Sequence, residues 1–494
     1  MISSATDWLD PTCGGLFPRI PDREPAPAIR DADTPEWLSR AALREQVMRL
    51  ATTLSPGSAS LAFVIGDNRI ATVSAILAAR AAGHAVALIG PDLSPIRLRR
   101  LIDDYQPEIV LSAAGCPGGD GLERYASSKM AAGLRSRIGD GGPRHWRRLR
   151  RSGNPVHPAL AILLSTSGTT GSAKFVRLSE TAIMVNAGQI AKALAIDPDD
   201  VAIAHLPVSH SYGLSVITSH LRVGAAVYLT GESVVRPAFW AAVRAVGGTH
   251  FPGVPFHYNF LARSGLDRLV PETVRTLTQA GGALDGRIQQ QMHDFVERRG
   301  DRFYVMYGQT EAGPRMTTLA HDQFVQKRGS VGRALDWAAL RIEDADHKAL
   351  APGQEGHVVF QGPNVMLGYA ERRLDLSKGD ETGGRLDTGD LGRLDSEGFL
   401  TITGRSKRMA TLAGLRISLD EVESRLRETA TAAVLDDGDR IVVFCEDPAL
   451  IKGTVAALSG EWRLPGASFD VRGVPRLPFC DSGKIDYERL RVLI

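Results

Sequence analysis

The sequence predicts an α/β fold, with a large N-terminal region of parallel-rich sheets flanked by helices and a small α+β region at the C-terminal end. Three observations carry that expectation. Short apolar runs of strand length alternate with helix-length segments, a loop rich in glycine and hydroxyl side chains follows directly on one such run, and the pattern changes character beyond Gly404.

The alternation is clearest in SLAFVIGDNRIATVSAILAARAAGHAVALIG, where Leu61–Ile65 and Ala85–Ile89 read as strands on either side of an Ala-rich helix over residues 70–82. A strand, helix, strand unit of this kind implies a parallel sheet covered by helices. The same alternation recurs over residues 201–229 and 249–262. Residues 1–35, rich in Pro, Asp and Arg without periodicity, read as an extended arm, so that regular structure begins at Trp37. The basic cluster RHWRRLRRSG at 144–153 carries an interleaved Trp and Leu, a pattern that suits phosphate backbones. Its place just before the hydroxyl-rich loop favours a solvated connector. Beyond Gly404 come a short helix, a hairpin over residues 432–445 turning at Asp437-Gly438, and a further helix over 450–458. The expected organisation is a large domain at 1–404, a link at 405–407 and a small domain at 408–494.

Bulk properties exclude several classes. A chain of 494 residues exceeds what one hydrophobic core serves, and 43% apolar with 23% charged residues describes a folded chain. The net charge of +2 gives no electrostatic reason to expect nucleic acid or an anionic membrane as partner. No apolar run reaches the roughly 18 residues of a membrane span, and the N-terminus lacks a basic segment followed by an apolar one. A cytoplasmic protein is expected. Cys13, Cys116, Cys445 and Cys480 are far apart and lack the spacing of a disulfide framework or zinc site.

The apolar run at 160–164 suits a buried strand and feeds into Ser165, Thr166, Ser167, Gly168, Thr169, Thr170, Gly171, Ser172, Ala173 and Lys174. Glycines let backbone N–H groups turn inward around an anion, hydroxyls add donors, and Lys174 adds positive charge. Polyphosphate binding needs all three. The order differs from a Walker A loop, which ends in Gly-Lys-Ser/Thr.

STSGTTGSAK resembles the signature loop of the acyl-adenylate-forming superfamily, and further motifs follow in that family's order. Tyr307-Gly308-Gln309-Thr310-Glu311 is similar to its adenine and magnesium motif. The resemblance implies Tyr307 stacked on adenine, Thr310 on phosphate and Glu311 holding Mg²⁺. Gly281-Gly282-Ala283 resembles the glycine turn beside the adenine and acyl pocket. Thr388-Gly389-Asp390 with Gly404-Arg405 resembles the ribose-binding pair. Lys484, in LPFCDSGKID, is similar to the family's adenylation lysine, and Lys407 to the hinge about which the small domain turns to bring Gly414 to an acceptor tunnel.

What the resemblance implies is an ATP-dependent ligase that forms an acyl-AMP, releases pyrophosphate and passes the acyl group to an acceptor. His205-Leu-Pro-Val-Ser-His210-Ser-Tyr212-Gly looks like the acid-pocket segment, with His210 placed as in acyl-CoA and aryl-acid members. No Asp stands there to meet a substrate ammonium, which favours an aryl or alkyl acid without an α-amino group. Phe251, Gly253, Val254, Met306 and Gly308 are the expected pocket wall. Coenzyme A is the favoured acceptor, although the chain after Lys407 is short and the turn between Val434 and Ile441 shorter than in CoA-ligase members. Transfer to an amine, loading of a separate carrier protein, and a catalytically inactive nucleotide-binding relative are the alternatives.

Overall fold

The computed structural model describes residues 26–54, 60–112, 125–128, 144–148, 154–165, 174–405, 408–412, 415–427, 429–437, 440–461, 464–480 and 485–494. Two large sheets face each other across a layer of helices. In one, Pro27–Asp31, Ala226–Leu229, Val201–Ala204, His250–Gly253, Thr276–Gln279 and Arg302–Tyr307 run parallel. In the other, Ile109–Ser112, Leu61–Ile65, Ala85–Ile89 and Leu160–Ser165 run parallel, and Phe175–Ser179 pairs antiparallel to the last of them.

The buried layer explains the sequence of its helices. Ile70–Ala81 is buried on every face except near its end, which is why it reads as an Ala-rich run without a polar stripe. It shares one core cluster with Glu180–Ala193 and Ser211–Val223, to which both sheets contribute through residues such as Val64, Leu88, Ala202 and Leu229. Local signals set the helix ends: the Ser179 side chain accepts from Ala182 N, and His210 Nδ1 accepts from Tyr212 N. Pro237–Ala245, Pro255–Ser264 and Gly286–Arg299 cover the outer face of the first sheet, around Trp240, Phe251, Tyr258 and Met292.

Two expectations are corrected. Regular structure starts before Trp37, because Pro27–Asp31 joins the first sheet, with Ile29 opposite Val227. Only Ala28 and Ile29 of this strand are apolar, and its partner lies some two hundred residues on, so no local pattern could show it. Asp31 also reaches Ile70 N at 3.0 Å and caps a helix whose own preceding residue, Arg69, does not. The basic cluster is not wholly a connector: Arg144–Arg148 is a strand between Ile109–Ser112 and Tyr125–Ser128 near the sheet's edge. Charged residues are common in strands at such edges.

A four-stranded sheet, which includes Arg385–Leu394 and Leu400–Arg405, leads into the C-terminal region. There Leu419–Arg427, the hairpin Ala432–Asp436 with Ile441–Cys445, and Pro448–Glu461 match the expected elements, and Phe469–Gly473 adds a parallel third strand. Among the described residues no helix is long and apolar enough to cross a membrane.

Candidate active site

The Tyr307 to Glu311 segment leaves the carboxyl end of a parallel strand, where open α/β sheets place their ligands. Its backbone is tightly packed. A Cβ at Gly308 would sit 1.9 Å from the Pro314 carbonyl oxygen, so a side chain there would push the segment apart. Two other sheets then grip it from opposite directions.

On one side the Tyr307 hydroxyl donates to Asp390 Oδ2, and Arg405 Nε lies 3.0 Å from Asp390 Oδ1. Asp390 and Arg405 face each other across paired strands of the four-stranded sheet. Burial first, and the Asp390 carboxylate second, hold the Tyr307 phenol protonated well above its usual range. Gln309 Nε2 donates to Thr388 O at 3.4 Å, tying the same two segments. On the other side the Tyr369 hydroxyl donates to Glu311 Oε1 at 2.9 Å, and Lys174 Nζ sits 3.4 Å from the centre of the Tyr369 ring. Tyr369 lies on Gly368–Ala370, paired with Phe175–Ser179. The fully buried Arg177 fixes that strand by donating to the carbonyls of Tyr369 at 3.1 Å and Leu367 at 2.9 Å, and it also pairs with Glu381. Tyr369 and Arg177 were not among the expected site residues; what marks them is a cross-strand contact far apart in sequence.

The acid segment meets this motif where Ser211 Oγ lies 3.1 Å from Thr310 Oγ1, at the start of Ser211–Val223. Tyr212 is buried behind it and donates to Thr278 O at 3.1 Å. Tyr212 and Met306 line a small cavity with Ser215, His220, His250 and Thr278, and with Arg315 beyond the Glu311 turn. Of the expected pocket wall, only Tyr212 and Met306 line this cavity. Side chains alternate along His250–Gly253, so His250 and Pro252 face the cavity while Phe251 faces the outer core, stacked on His205 at 5.1 Å. Gly253 lies against the Tyr258 ring, and Gly281, at φ +82°, lies against Val254. Gly282 accepts from Gln279 Nε2 at 2.7 Å, and Ala283 is exposed. Burial lowers the His205 and His220 pKa values to about 4 and pushes those of His250 and His257 well below the usual imidazole range, so all four are neutral at pH 7.

Ser165 and Lys174 stand at the ends of two paired strands, Ser165 opposite Phe175. Thr166, Ser167, Gly168, Thr169, Thr170 and Gly171 lie outside the described residues, as do Lys407, Gly414 and Lys484. Flanking the link, Arg405 holds Asp390, while Arg408 donates to Glu423 Oε1 at 2.8 Å and Val434 O at 2.6 Å in the C-terminal region.

Glu311 is the candidate metal-holding carboxylate. One oxygen is oriented by Tyr369, no described basic side chain pairs with it, and the Thr310 hydroxyl is its neighbour in sequence. An oxygen-only donor set of this kind suits a hard divalent cation. Elsewhere, His293, Glu297 and His321 lie close enough together to share a metal. However, His321 already contacts Glu297 at 2.8 Å through Nε2 and accepts from Phe303 N through Nδ1, so both of its ring nitrogens are engaged.

The fold and the site together define an ATP-dependent, AMP-forming ligase that activates a carboxylic acid. The chain belongs to the AMP-binding enzyme family, whose model matches residues 19–370. It is 30% identical over 361 residues to a sulfoacetate–CoA ligase of Cupriavidus necator, covering 69% of this chain and 68% of that one. It is also 30% identical over 370 residues to an indoleacetate–CoA ligase of Aromatoleum aromaticum, covering 70% and 71%. Among solved structures it is similar to ATP-bound MatB from Rhodopseudomonas palustris, with a TM-score of 0.78 at 24% identity over 99% of this chain and 98% of that one. It is likewise similar to the o-succinylbenzoate CoA synthetase of Bacillus subtilis bound to its acyl-adenylate, with a TM-score of 0.76 at 23% identity over 98% of each chain. At these identities the structural likeness speaks for the fold.

Proposed function

We propose that this ligase joins a small carboxylic acid lacking an α-amino group to coenzyme A, by way of an acyl-AMP held between Tyr307, Glu311 and Asp390. The observation that carries the placement is the double grip on residues 307–311, by Asp390 through Tyr307 and by Lys174 and Tyr369 through Glu311.

In the first half-reaction a carboxylate oxygen attacks the α-phosphorus of ATP and the bond to pyrophosphate breaks. Like charges must be brought together, so positioning and donors aimed at the phosphates supply most of the acceleration. Asp390 takes the ribose hydroxyls, and Arg405 holds Asp390 oriented for them. Ser165 to Lys174 cradles the leaving phosphates. The N-terminus of Ser211–Val223, beside Thr310 through Ser211, favours negative charge at the reacting centre. Lys484 supplies a further cation to the α-phosphate. Glu311 would hold Mg²⁺, which would neutralise phosphate charge, while Thr310 meets the phosphate.

For the second half-reaction, the small C-terminal domain turns about Lys407 and carries Gly414 to the active site. The opposite anchoring of Arg405 and Arg408 supports a division there. Coenzyme A is preferred as acceptor over an amine or a carrier protein because two of the relatives above are named as CoA ligases. The test offers the enzyme ATP, an acid panel, and coenzyme A together with amines, and identifies the products by mass spectrometry. Acyl-CoA is the expected product. Amide in its place would remove coenzyme A from the reading, and absence of hydroxamate from every acid under hydroxylamine trapping would remove adenylation.

A further inference from the structure

Arg315 is 3% exposed and follows the Glu311 turn directly. Its backbone is fixed from both ends: Arg315 N donates to Asn186 Oδ1 at 3.2 Å, and Asn186 Nδ2 donates to Arg315 O at 2.8 Å. The side chain therefore reaches the small cavity by construction. There the guanidinium carbon lies 4.9 Å from the centre of the Tyr212 ring, and no described carboxylate pairs with it.

That absence is unusual within this molecule. Arg373, 4% exposed, meets both oxygens of Glu108 at 2.8 and 3.0 Å. Arg80, also 4% exposed, meets Glu180 at 2.7 Å, and Arg177 pairs with Glu381. An ion taken out of water is retained where a counter-charge and hydrogen bonds compensate it. Arg315 has no described counter-charge and only part of its hydrogen bonding: it meets Tyr212, but its Nε is buried without a hydrogen-bond partner, and so are the Nε2 atoms of His220 and His250, which line the same cavity. These are a cation and two neutral rings converging on a space of about 10 Å³, room for one water or one small polar terminus.

The cavity also shares Tyr212 and Met306 with the acid segment. We propose that Arg315 receives a second anionic group, a carboxylate or sulfonate terminus, on the acid that the enzyme activates. This rests on the acid-ligase reading and names the substrate class within it. The reacting carboxylate stays at Thr310 and the ribose end, while the second anion lies behind Tyr212, paired with the guanidinium. A substrate ammonium is repelled by the same cation.

The test measures acid-dependent exchange of pyrophosphate into ATP for α,ω-dicarboxylates of three to six carbons, the matching sulfonated acids and the corresponding monocarboxylates. Wild type is expected to favour the doubly anionic acids by roughly 10- to 100-fold in kcat/KM, the worth of a charge-assisted pair. Arg315→Met should bring that ratio close to one with the KM for ATP unchanged, and Arg315→Lys should keep part of it. Because Met removes an uncompensated buried charge, Arg315→Met should melt no lower than wild type without ligand. Equal use of both acid classes by wild type would overturn the proposal. So would equal loss of both in Arg315→Met, which would place the guanidinium on the reacting carboxylate, or a selective loss of ATP affinity, which would place it on phosphate. If no acid supports exchange, the acid-ligase reading fails, and calorimetric titration of succinate against butyrate into wild type and Arg315→Met still decides whether Arg315 selects the second anion.

Discussion

At the proposed nucleotide end of the site, Tyr307, Asp390 and Arg405 hold one another across two sheets, and Asp390 and Arg405 are already paired. At the proposed acyl end, Arg315 stands without a described carboxylate beside the neutral His220 and His250. On the proposed reading, the first arrangement is preorganised for a ligand that never changes, ATP. The second leaves its compensation to the substrate, which is how a common scaffold can be fitted to one acid.

The contrast is sharpest in acid. His220, which lines the small cavity, and His205, buried against Phe251, have folded pKa values near 4, below the 6.5 of an exposed imidazole. The unfolded chain therefore takes up protons that the folded one refuses as pH falls from about 6.5 to 4. Stability should be complete above that window and drop by about 2 kcal/mol for each ring between pH 7 and pH 5. Urea unfolding midpoints at the two pH values check this, and an unchanged midpoint would mean these rings are not neutral in the fold.

Next in size is Lys484→Ala, which should lower acid-dependent pyrophosphate release by roughly 10²-fold or more, the effect of removing one charge-stabilising donor. Near-normal release would take Lys484 out of the mechanism. Asp390→Ala should raise the KM for ATP by roughly 10- to 100-fold, the range for hydrogen bonds to a charged group, without reordering acid preference. A changed order of acids would mean that the two ends are not separate. The smallest effect is expected from Tyr369→Phe, which keeps the ring under Lys174 and removes the hydroxyl from Glu311: about a tenfold loss in kcat/KM or less, against a larger loss for Tyr369→Ala. Equal losses would show that the ring contact to Lys174 contributes nothing.

What the sequence made legible divides along the same line. The βαβ alternation and the motifs at Tyr307, Asp390 and Lys174 are local, since a strand-length apolar run or a fixed spacing carries them. The Pro27–Asp31 strand, Tyr369 and Arg177 act through partners far away in the chain, and nothing in their neighbourhoods announces it. Arg315 is the intermediate case. It stands four residues after Glu311 but was not among the expected site residues, and only burial without a described counter-charge gives it meaning. Phe251 shows the reverse: adjacency to Pro252 and Gly253 suggested the pocket, while strand alternation turned it to the other face.

Incorporation of radiolabelled pyrophosphate into ATP, with an acid present and coenzyme A absent, tests the central claim most directly. Exchange that requires the acid and needs no coenzyme A is the predicted result. Exchange that depends on coenzyme A, or ATP cleavage yielding ADP, would contradict it.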